Sequence, residues 1–155
     1  MSDFKKLLVW QKAHALALHA HRVAMGIRAA RYTSLRSQII RAAMSIPTNI
    51  VEGRRQGSDP EFARFLRYSL NSAFELEYHL TLARDIGVIP EDEAISLLDE
   101  LVLVRRLLHG LLNRITGKKL PAKPDESTRV NNSGQAKARS KSTQRSAAKA
   151  NSSPR

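Results

Sequence analysis

Cysteine is absent from the 155-residue chain, which excludes a disulfide framework, a thiolate zinc site, an iron–sulfur cluster and a cysteine nucleophile. Aromatic residues make up only 5% of the chain against 42% hydrophobic residues, so the core must consist mainly of Leu, Ile, Val and Ala. That composition favours helices over strands. No apolar run approaches the roughly 20 residues that span a bilayer, and charges and histidines follow Lys6 where a signal peptide would be apolar. We therefore expect a soluble, cytoplasmic protein with one folded domain and no membrane segment.

Acidic residues are also scarce, with 14 Asp and Glu against 26 Lys and Arg, for a formal charge of +12. The excess is uneven, because residues 118–155 hold ten basic and two acidic residues and no Phe, Trp or Tyr. This segment, which begins with Lys118 and Lys119, buries too little apolar area to offset its ordering entropy. We expect a disordered basic tail that favours RNA or DNA through counterion release. The alternative, a solubilising appendage that binds nothing in particular, stays open.

Residues 1–117 contain three segments whose apolar side chains recur at alternating spacings of four and three. The first runs through Val9, Ala13, Leu16, Ala20, Val23 and Ile27, the third through Leu66, Ser69, Ala73, Leu76, Leu80 and Ala83, and the fourth through Ala94, Leu97, Leu101, Val104, Leu108, Leu111 and Ile115. Such seams are typical of helices that pack on other helices at a shallow angle. With a second helix between the first and the third, the pattern predicts an all-α, up-and-down four-helix bundle in residues 1–117.

Capping residues and glycines mark the predicted helix ends. Ser58, with Pro60 and Glu61, has the arrangement of a capping box at the start of the third helix. The other expected boundaries are Ser34 as the cap of the second helix, Gly87 at the end of the third, Pro90 at the start of the fourth, and Gly117 at its end. The connections between helices are short, so neighbouring helices should run antiparallel.

The second helix carries two apolar stripes about 100° apart. One stripe is Leu35, Ile39, Ala42 and Ile46, and the other is Ile40, Met44, Pro47 and Val51. Because one stripe faces the core of so small a bundle, the second predicts an interface with another subunit, and hence a homo-oligomer. Pro47 should kink or end the helix, since it removes a backbone donor. Three neighbouring polar residues, Ser45, Thr48 and Asn49, are expected to support the backbone at that point.

A long joined pattern carries a resemblance to a known family. It runs through Leu8-Val9-Trp10-Gln11-Lys12-Ala13, Ser37-Gln38-Ile39, Arg41-Ala42-Ala43, Ser45-Ile46-Pro47, Asn49-Ile50, Glu52-Gly53, Glu61-Phe62, Arg64-Phe65-Leu66 and Glu75-Leu76-Glu77-Tyr78. Over roughly residues 4–116 the chain resembles the bacterial four-helix bundle family, also called the 23S rRNA intervening-sequence protein family. The polar positions of the pattern are not explained by heptad periodicity, which makes the resemblance specific.

The resemblance implies a bundle that assembles as a homopentameric ring, without enzymatic activity. Members occur as reading frames inside insertions in ribosomal RNA genes. Related proteins are accessory factors of diversity-generating retroelements, in which a basic ring associates with a reverse transcriptase and its nucleic acid. This chain departs from the family in its basic tail and in Arg54-Arg55, and neither departure decides between the ribosomal-insertion and retroelement branches.

An enzyme has little support in the sequence. Di-metal sites in bundles need a Glu-x-x-His pair on each of two helices. Glu75 and His79 are instead four residues apart, and no other predicted helix carries a matching pair. We interpret that pair as a local surface interaction. His14 and His21, seven apart on the first helix, suit an interface or the surface better than a metal. No phosphate-binding glycine loop or nucleophile–base–orienter set is apparent, so we expect no catalysis, no metal and no cofactor.

Nucleic-acid binding has better physical support, because arginine forks suit phosphate oxygens. The candidate contacts are Arg36, Arg41, Arg54, Arg55, Arg64, Arg67, Arg105, Arg106, Lys118 and Lys119. We favour Arg54 and Arg55, whereas Arg41 is as well explained by a pair with Glu52, Glu75 or Glu77 across the bundle. Trp10 and two phenylalanines of the third helix are assigned to the core, which leaves no aromatic platform for bases.

The leading hypothesis from the sequence is therefore a homo-oligomeric bundle that binds RNA or DNA by its backbone. Such a protein would serve as an accessory or scaffold factor for an RNA complex or a reverse transcriptase, with binding that is salt-sensitive and poorly sequence-specific. The alternative is a purely structural or protein-interaction ring whose basic tail is incidental.

Overall fold

The computed structural model describes residues 4–117, which form four α-helices. The helices are α1 (Leu8–Met25), α2 (Thr33–Arg55), α3 (Asp59–Asp85) and α4 (Glu91–Thr116), with short 3-10 turns at Phe4–Lys6 and Ala30–Tyr32. No strand occurs in this part of the chain, and the predicted all-α class is confirmed. The predicted tail, including Lys118 and Lys119, lies outside the described residues.

Each helix packs on the two that are its neighbours in an α1–α2–α3–α4 cycle, most extensively α2 on α3. Within residues 4–117, no Cα atom of α1 lies within 8 Å of α3 and none of α2 lies within 8 Å of α4, so the helices occupy the corners of a square. Short connections make successive helices antiparallel. The start of α1, the α2–α3 connection (56–58) and the end of α4 therefore lie together, at what we call the basal end. The connections 26–32 and 86–90 form the distal end.

The predicted seams form the core. Nearly every seam residue of α1, α3 and α4 is buried, with Val23, Leu111 and Ile115 partly exposed. Burying one Leu or Ile side chain contributes about 1.5–3 kcal/mol, so this seam supplies most of the driving force for folding. The first stripe of α2 joins the same core through Ile39, Ala42 and Ile46.

Most of the predicted helix ends are confirmed, and two details are wrong. Gly87 and Gly117 have φ of +69° after α3 and α4, a conformation that favours glycine. Ser58 precedes α3 but makes no side-chain capping bond. The Glu61 carboxylate, which in a capping box would accept from the Ser58 N–H, pairs with Arg64 at 2.7 Å instead. Ser34 is inside α2, which begins one residue earlier after the turn Ala30–Tyr32.

Pro47 does not end α2, which continues to Arg55. The carbonyl that lacks its usual i+4 donor because of the proline is that of Ala43. The next two backbone carbonyls accept hydrogen bonds from side chains. Thr48 Oγ1 donates to the carbonyl of Met44 at 2.8 Å, and Asn49 Nδ2 donates to the carbonyl of Ser45 at 2.8 Å. Two of the three polar residues expected to support the backbone, Thr48 and Asn49, therefore do so, whereas Ser45 Oγ accepts from Asn49 and Ser72 side chains.

Small residues bring α2 close to α3. The buried Ser69 Oγ of α3 donates to the carbonyl of Ile46 at 2.8 Å, and Ser72 Oγ donates to Ser45 Oγ at 2.9 Å. One turn from the end of α2, a Cβ added at Gly53 would lie 2.6 Å from Phe65 Cβ. Hydrogen bonds of serine hydroxyls thus stabilise the α2–α3 contact, and the absence of a side chain at Gly53 allows the two helices to approach closely. Heptad spacing reveals neither feature.

Candidate functional site

Three of the predicted nucleic-acid contacts pair with carboxylates inside the subunit. Arg41 contacts Glu75 across the α2–α3 seam at 2.8 Å, one of the three partners expected for it. Arg105 of α4 pairs with Glu77 of α3. The third candidate, Arg64, pairs with Glu61 in the first turns of α3, as described above. Exposed pairs of this kind contribute about 0–1 kcal/mol, so they orient the guanidinium groups more than they stabilise the bundle.

Two further candidates are partly packed into the subunit. Arg36 donates to the carbonyl of Ile27 at 3.2 Å, which ties the start of α2 to the start of the α1–α2 connection, next to the end of α1. Arg54 is half-buried, with its guanidinium 5.5 Å from the centre of the Phe62 ring. Arg54, one of the two candidates that the sequence favours most, therefore presents less of its side chain to solvent than Arg55.

Arg55, Arg67 and Arg106 are exposed, and none of them makes a hydrogen bond or ion pair within residues 4–117. They come from three helices, at the end of α2, in the first turns of α3 and in the second half of α4. The antiparallel order places all three in the basal half of the bundle. Arginines that are distant from one another in the sequence thus lie in the same half of the described bundle.

A cleft of about 340 Å³ opens in the same half, between the start of α1 and the end of α4. Its floor is apolar, from Leu7, Val9, Leu107 and Leu111, and Arg106 is one of its two basic lining residues. The second basic residue is Arg114. Exposed Lys5 and Lys6 immediately precede α1 at this end.

Three residues of the second stripe of α2, Met44, Pro47 and Val51, line an apolar groove between α1 and α2, of about 450 Å³. Met44 is 54% exposed at the groove, Ile40 and Val51 are half-buried, and Pro47 is buried as part of the lining. The α1 side of the groove consists of Trp10, His14, Ala17, Leu18 and His21, and the remaining lining residues are Phe4 and Thr48. His14 and His21 are exposed there, in keeping with the expected surface or interface position.

Aromatic residues are less buried than the sequence suggests. Phe62 is in the core, but Trp10 is half-buried and stacks on His14 with ring centres 4.9 Å apart at the groove. Phe74 and Tyr78 of α3 are 52% and 65% exposed, and sequence reasoning missed them. The available signal was their spacing: they are four residues apart and fall beside the α3 seam, so they form a stripe on the outer side of the helix.

His19 is the polar contact between α1 and α4 that sequence reasoning also missed. Its Nδ1 lies 2.8 Å from Glu100 Oε1 and its Nε2 lies 3.0 Å from Glu93 Oε2. Burial lowers the pKa of His19, but the hydrogen bonds and charges of the two carboxylates outweigh it and raise the pKa above the ordinary value of 6.5. Both ring nitrogens face acceptors, so the imidazolium is the form that satisfies both bonds.

In residues 4–117 no group of three or more His, Asp or Glu side chains is arranged so that it could hold a metal ion. Where His19, Glu93 and Glu100 meet, both ring nitrogens face carboxylate oxygens. The Glu75–His79 contact, 3.8 Å, is the local pair that the sequence predicts. None of the four described helices is both long and apolar enough to cross a membrane.

The fold and these surfaces define an all-α, up-and-down four-helix bundle with a basic end and an apolar groove. The model of the 23S rRNA-intervening sequence protein family matches residues 5–110, and the chain belongs to that family. The resemblance predicted from the sequence is confirmed.

A crystal structure from Bacteroides thetaiotaomicron, described as a protein with unknown function from the S23 ribosomal protein family, has a similar fold. The TM-score is 0.64 at 24% identity, and the alignment covers 68% of this chain and 98% of that chain. This likeness supports the bundle fold. Among curated proteins, none matches this chain.

Proposed function

We propose that this protein is a non-enzymatic, homo-oligomeric bundle that binds nucleic acid through its basal end. It acts in the cytoplasm as an accessory or scaffold factor for an RNA complex or a reverse transcriptase. The observation that carries the proposal is the set of exposed, unpaired arginines, Arg55, Arg67 and Arg106, in one half of the described bundle. Arginines without an internal carboxylate are the ones available to phosphate oxygens.

Support for self-association comes from the groove. A half-exposed Met44 above buried Pro47 leaves apolar area in water that an isolated subunit does not cover. Repetition of the basal arginines in every copy would add weak phosphate contacts together through avidity. The pentameric number and the link to a reverse transcriptase follow from the family resemblance, and the ribosomal part of the family description agrees with an RNA partner.

The first test is a salt series with the full-length chain and a fluorescently labelled single-stranded RNA or DNA, followed by anisotropy. Phosphate-directed binding predicts a linear fall of log affinity with log salt, and similar affinity for unrelated base sequences. Binding that is undetectable even near 50 mM salt would overturn the nucleic-acid part of the proposal.

Charge-removing variants locate the site. The double variant Arg55→Gln and Arg106→Gln should weaken binding and lower the salt slope by about 1 or more, because each lost phosphate contact on a single strand contributes about 0.7. The matched control, Arg22→Gln and Arg28→Gln, removes the same charge from exposed positions toward the distal end and should leave the slope unchanged. Equal losses in the two variants would mean that net charge acts and that no basal site exists.

Deletion of residues 118–155 separates the proposal from the alternative of a protein-interaction ring. The proposal predicts the same oligomer, measured by light scattering, with weaker nucleic-acid binding. A full-length oligomer near five times the 17.3 kDa chain mass supports the pentamer. If the full-length oligomer assembles and binds no nucleic acid, the protein-interaction ring is the better description.

A further inference from the structure

We infer that the outer side of α3 is a stacking surface for unpaired bases, so that the preferred nucleic acid of this protein is a single strand. The inference rests on the proposed nucleic-acid binding and adds the class of nucleic acid and the side chains that select it. It uses four residues that we call the outer stripe of α3, namely Arg67, Asn71, Phe74 and Tyr78.

The outer stripe is a row along one side of α3. Its members are spaced by four, three and four residues, which places them on the same side of a helix. All four are exposed, and the two aromatic side chains, Phe74 and Tyr78, are 52% and 65% exposed. The seam residues Leu76 and Leu80 of the same helix are fully buried. The row therefore begins at Arg67 in the basal half of the bundle and continues to two aromatic rings in solvent.

The first of the two rings is held in position by α4. The Arg105 guanidinium lies 5.0 Å from the centre of the Phe74 ring, within the range of a cation–π contact. About half of the Phe74 side chain stays exposed in spite of this contact, and Tyr78 is exposed one turn later. A ring that is already positioned loses little conformational freedom when a base covers it, so the two rings are suited to stacking.

The carboxylates beside the outer stripe are neutralised by arginines of the neighbouring helices. Glu75 pairs with Arg41 of α2 at 2.8 Å, and Glu77 pairs with Arg105 of α4. Arg67, by contrast, is exposed and makes no ion pair within residues 4–117. The uncompensated charge along the stripe is therefore positive. A phosphate backbone can follow the stripe from the basal arginines while its bases cover the two rings.

Stacking on these rings requires bases that are not paired. In a duplex both faces of a base are covered by its neighbours, whereas the bases of a single strand can turn toward aromatic side chains. Phe74 and Tyr78 are four residues apart, a rise of about 6 Å, whereas successive nucleotides of a duplex strand are about 3.4 Å apart. Two successive bases on the two rings must therefore belong to a strand that has left the duplex geometry.

Two probes that differ only in their bases test the inference. The full-length protein is titrated with two fluorescently labelled single strands of equal length, an oligothymidylate and a strand of abasic sites with the same phosphates. We expect the oligothymidylate to bind at least about fivefold more tightly, the lower end of the range for stacking of one base on an aromatic side chain. Phosphate contacts alone would give equal affinities.

Variants of the outer stripe assign the preference to the two rings. The double variant Phe74→Leu and Tyr78→Leu removes both rings and keeps apolar side chains in their place. Its affinity for the oligothymidylate should fall to that for the abasic strand, with abasic binding unchanged. The matched control, Tyr78→Phe, keeps both rings and should keep the preference. Arg67→Gln should instead weaken binding of both strands by the same factor, because it removes a phosphate contact.

The outcomes distinguish the inference from the proposed function. Equal affinity of the unsubstituted protein for the two strands, or a preference that survives in the double variant, would overturn the stacking surface and leave phosphate binding standing. Failure to bind either strand at about 50 mM salt would overturn both. Light scattering of the double variant adds a second measurement. An unchanged oligomer supports the stacking surface, whereas a dissociated oligomer would overturn it by showing that the rings hold subunits together.

Discussion

Gly53 determines how closely the end of α2 approaches α3. A Cβ at this position would stand 2.6 Å from Phe65 Cβ and 2.9 Å from Phe62 Cδ2, and a Cβ–Cβ distance that short forces backbone movement. Gly110 of α4 is also inside a helix, but a Cβ there meets nothing within 4 Å. The two glycines therefore separate the effect of packing from the effect of helix propensity.

Gly53→Ala should destabilise the bundle by about 1–3 kcal/mol, the usual cost of overpacking, in spite of the better helix propensity of alanine. Gly110→Ala should instead stabilise it by up to about 1 kcal/mol, because only propensity changes. Urea unfolding followed by circular dichroism at 222 nm measures both. Equal stability of the two variants would show that α2 and α3 do not approach at Gly53.

The contact between α1 and α4 depends on ionisation of His19. The pKa of the folded state is raised above 6.5, so the folded protein holds the proton at pH values where the unfolded chain has released it. Stability from this contact is therefore fully present below pH 6.5 and is lost as the pH rises through the folded pKa. Glu93 and Glu100 are the charged groups that face the imidazole from α4.

We expect the free energy of unfolding of the protein to exceed that of His19→Gln most clearly near pH 6, and the difference to shrink as the pH rises toward 9. Urea unfolding of both proteins across this range measures it. His109→Gln, at an exposed position of α4, is the control and should keep the pH dependence of the unsubstituted protein. A difference between protein and His19→Gln that grows with pH would contradict the imidazolium bridge.

The helices could be predicted from the sequence because heptad spacing reports which side of a helix is apolar, and all four helices carry such spacing. The spacing also identified the second stripe of α2, which does face a groove. It does not report which residue lies across from another. His19 and its partners are 74 and 81 residues apart, and the exposed Phe74 differs from buried Phe62 only in where it stands on the same helix. The spacing alone therefore does not predict which residues of different helices contact each other, and the three-dimensional structure is needed to identify them.

The up-and-down order places Phe4 and Gly117 at the same end of the bundle as Arg55. An affinity tag, a fluorophore or a biosensor surface attached at either of these positions would stand over the arginines, and it would obstruct the nucleic acid that the experiment is meant to detect. The distal connections 26–32 and 86–90 are the better attachment points. The position of attachment thus decides whether the basic end of the bundle is accessible to nucleic acid.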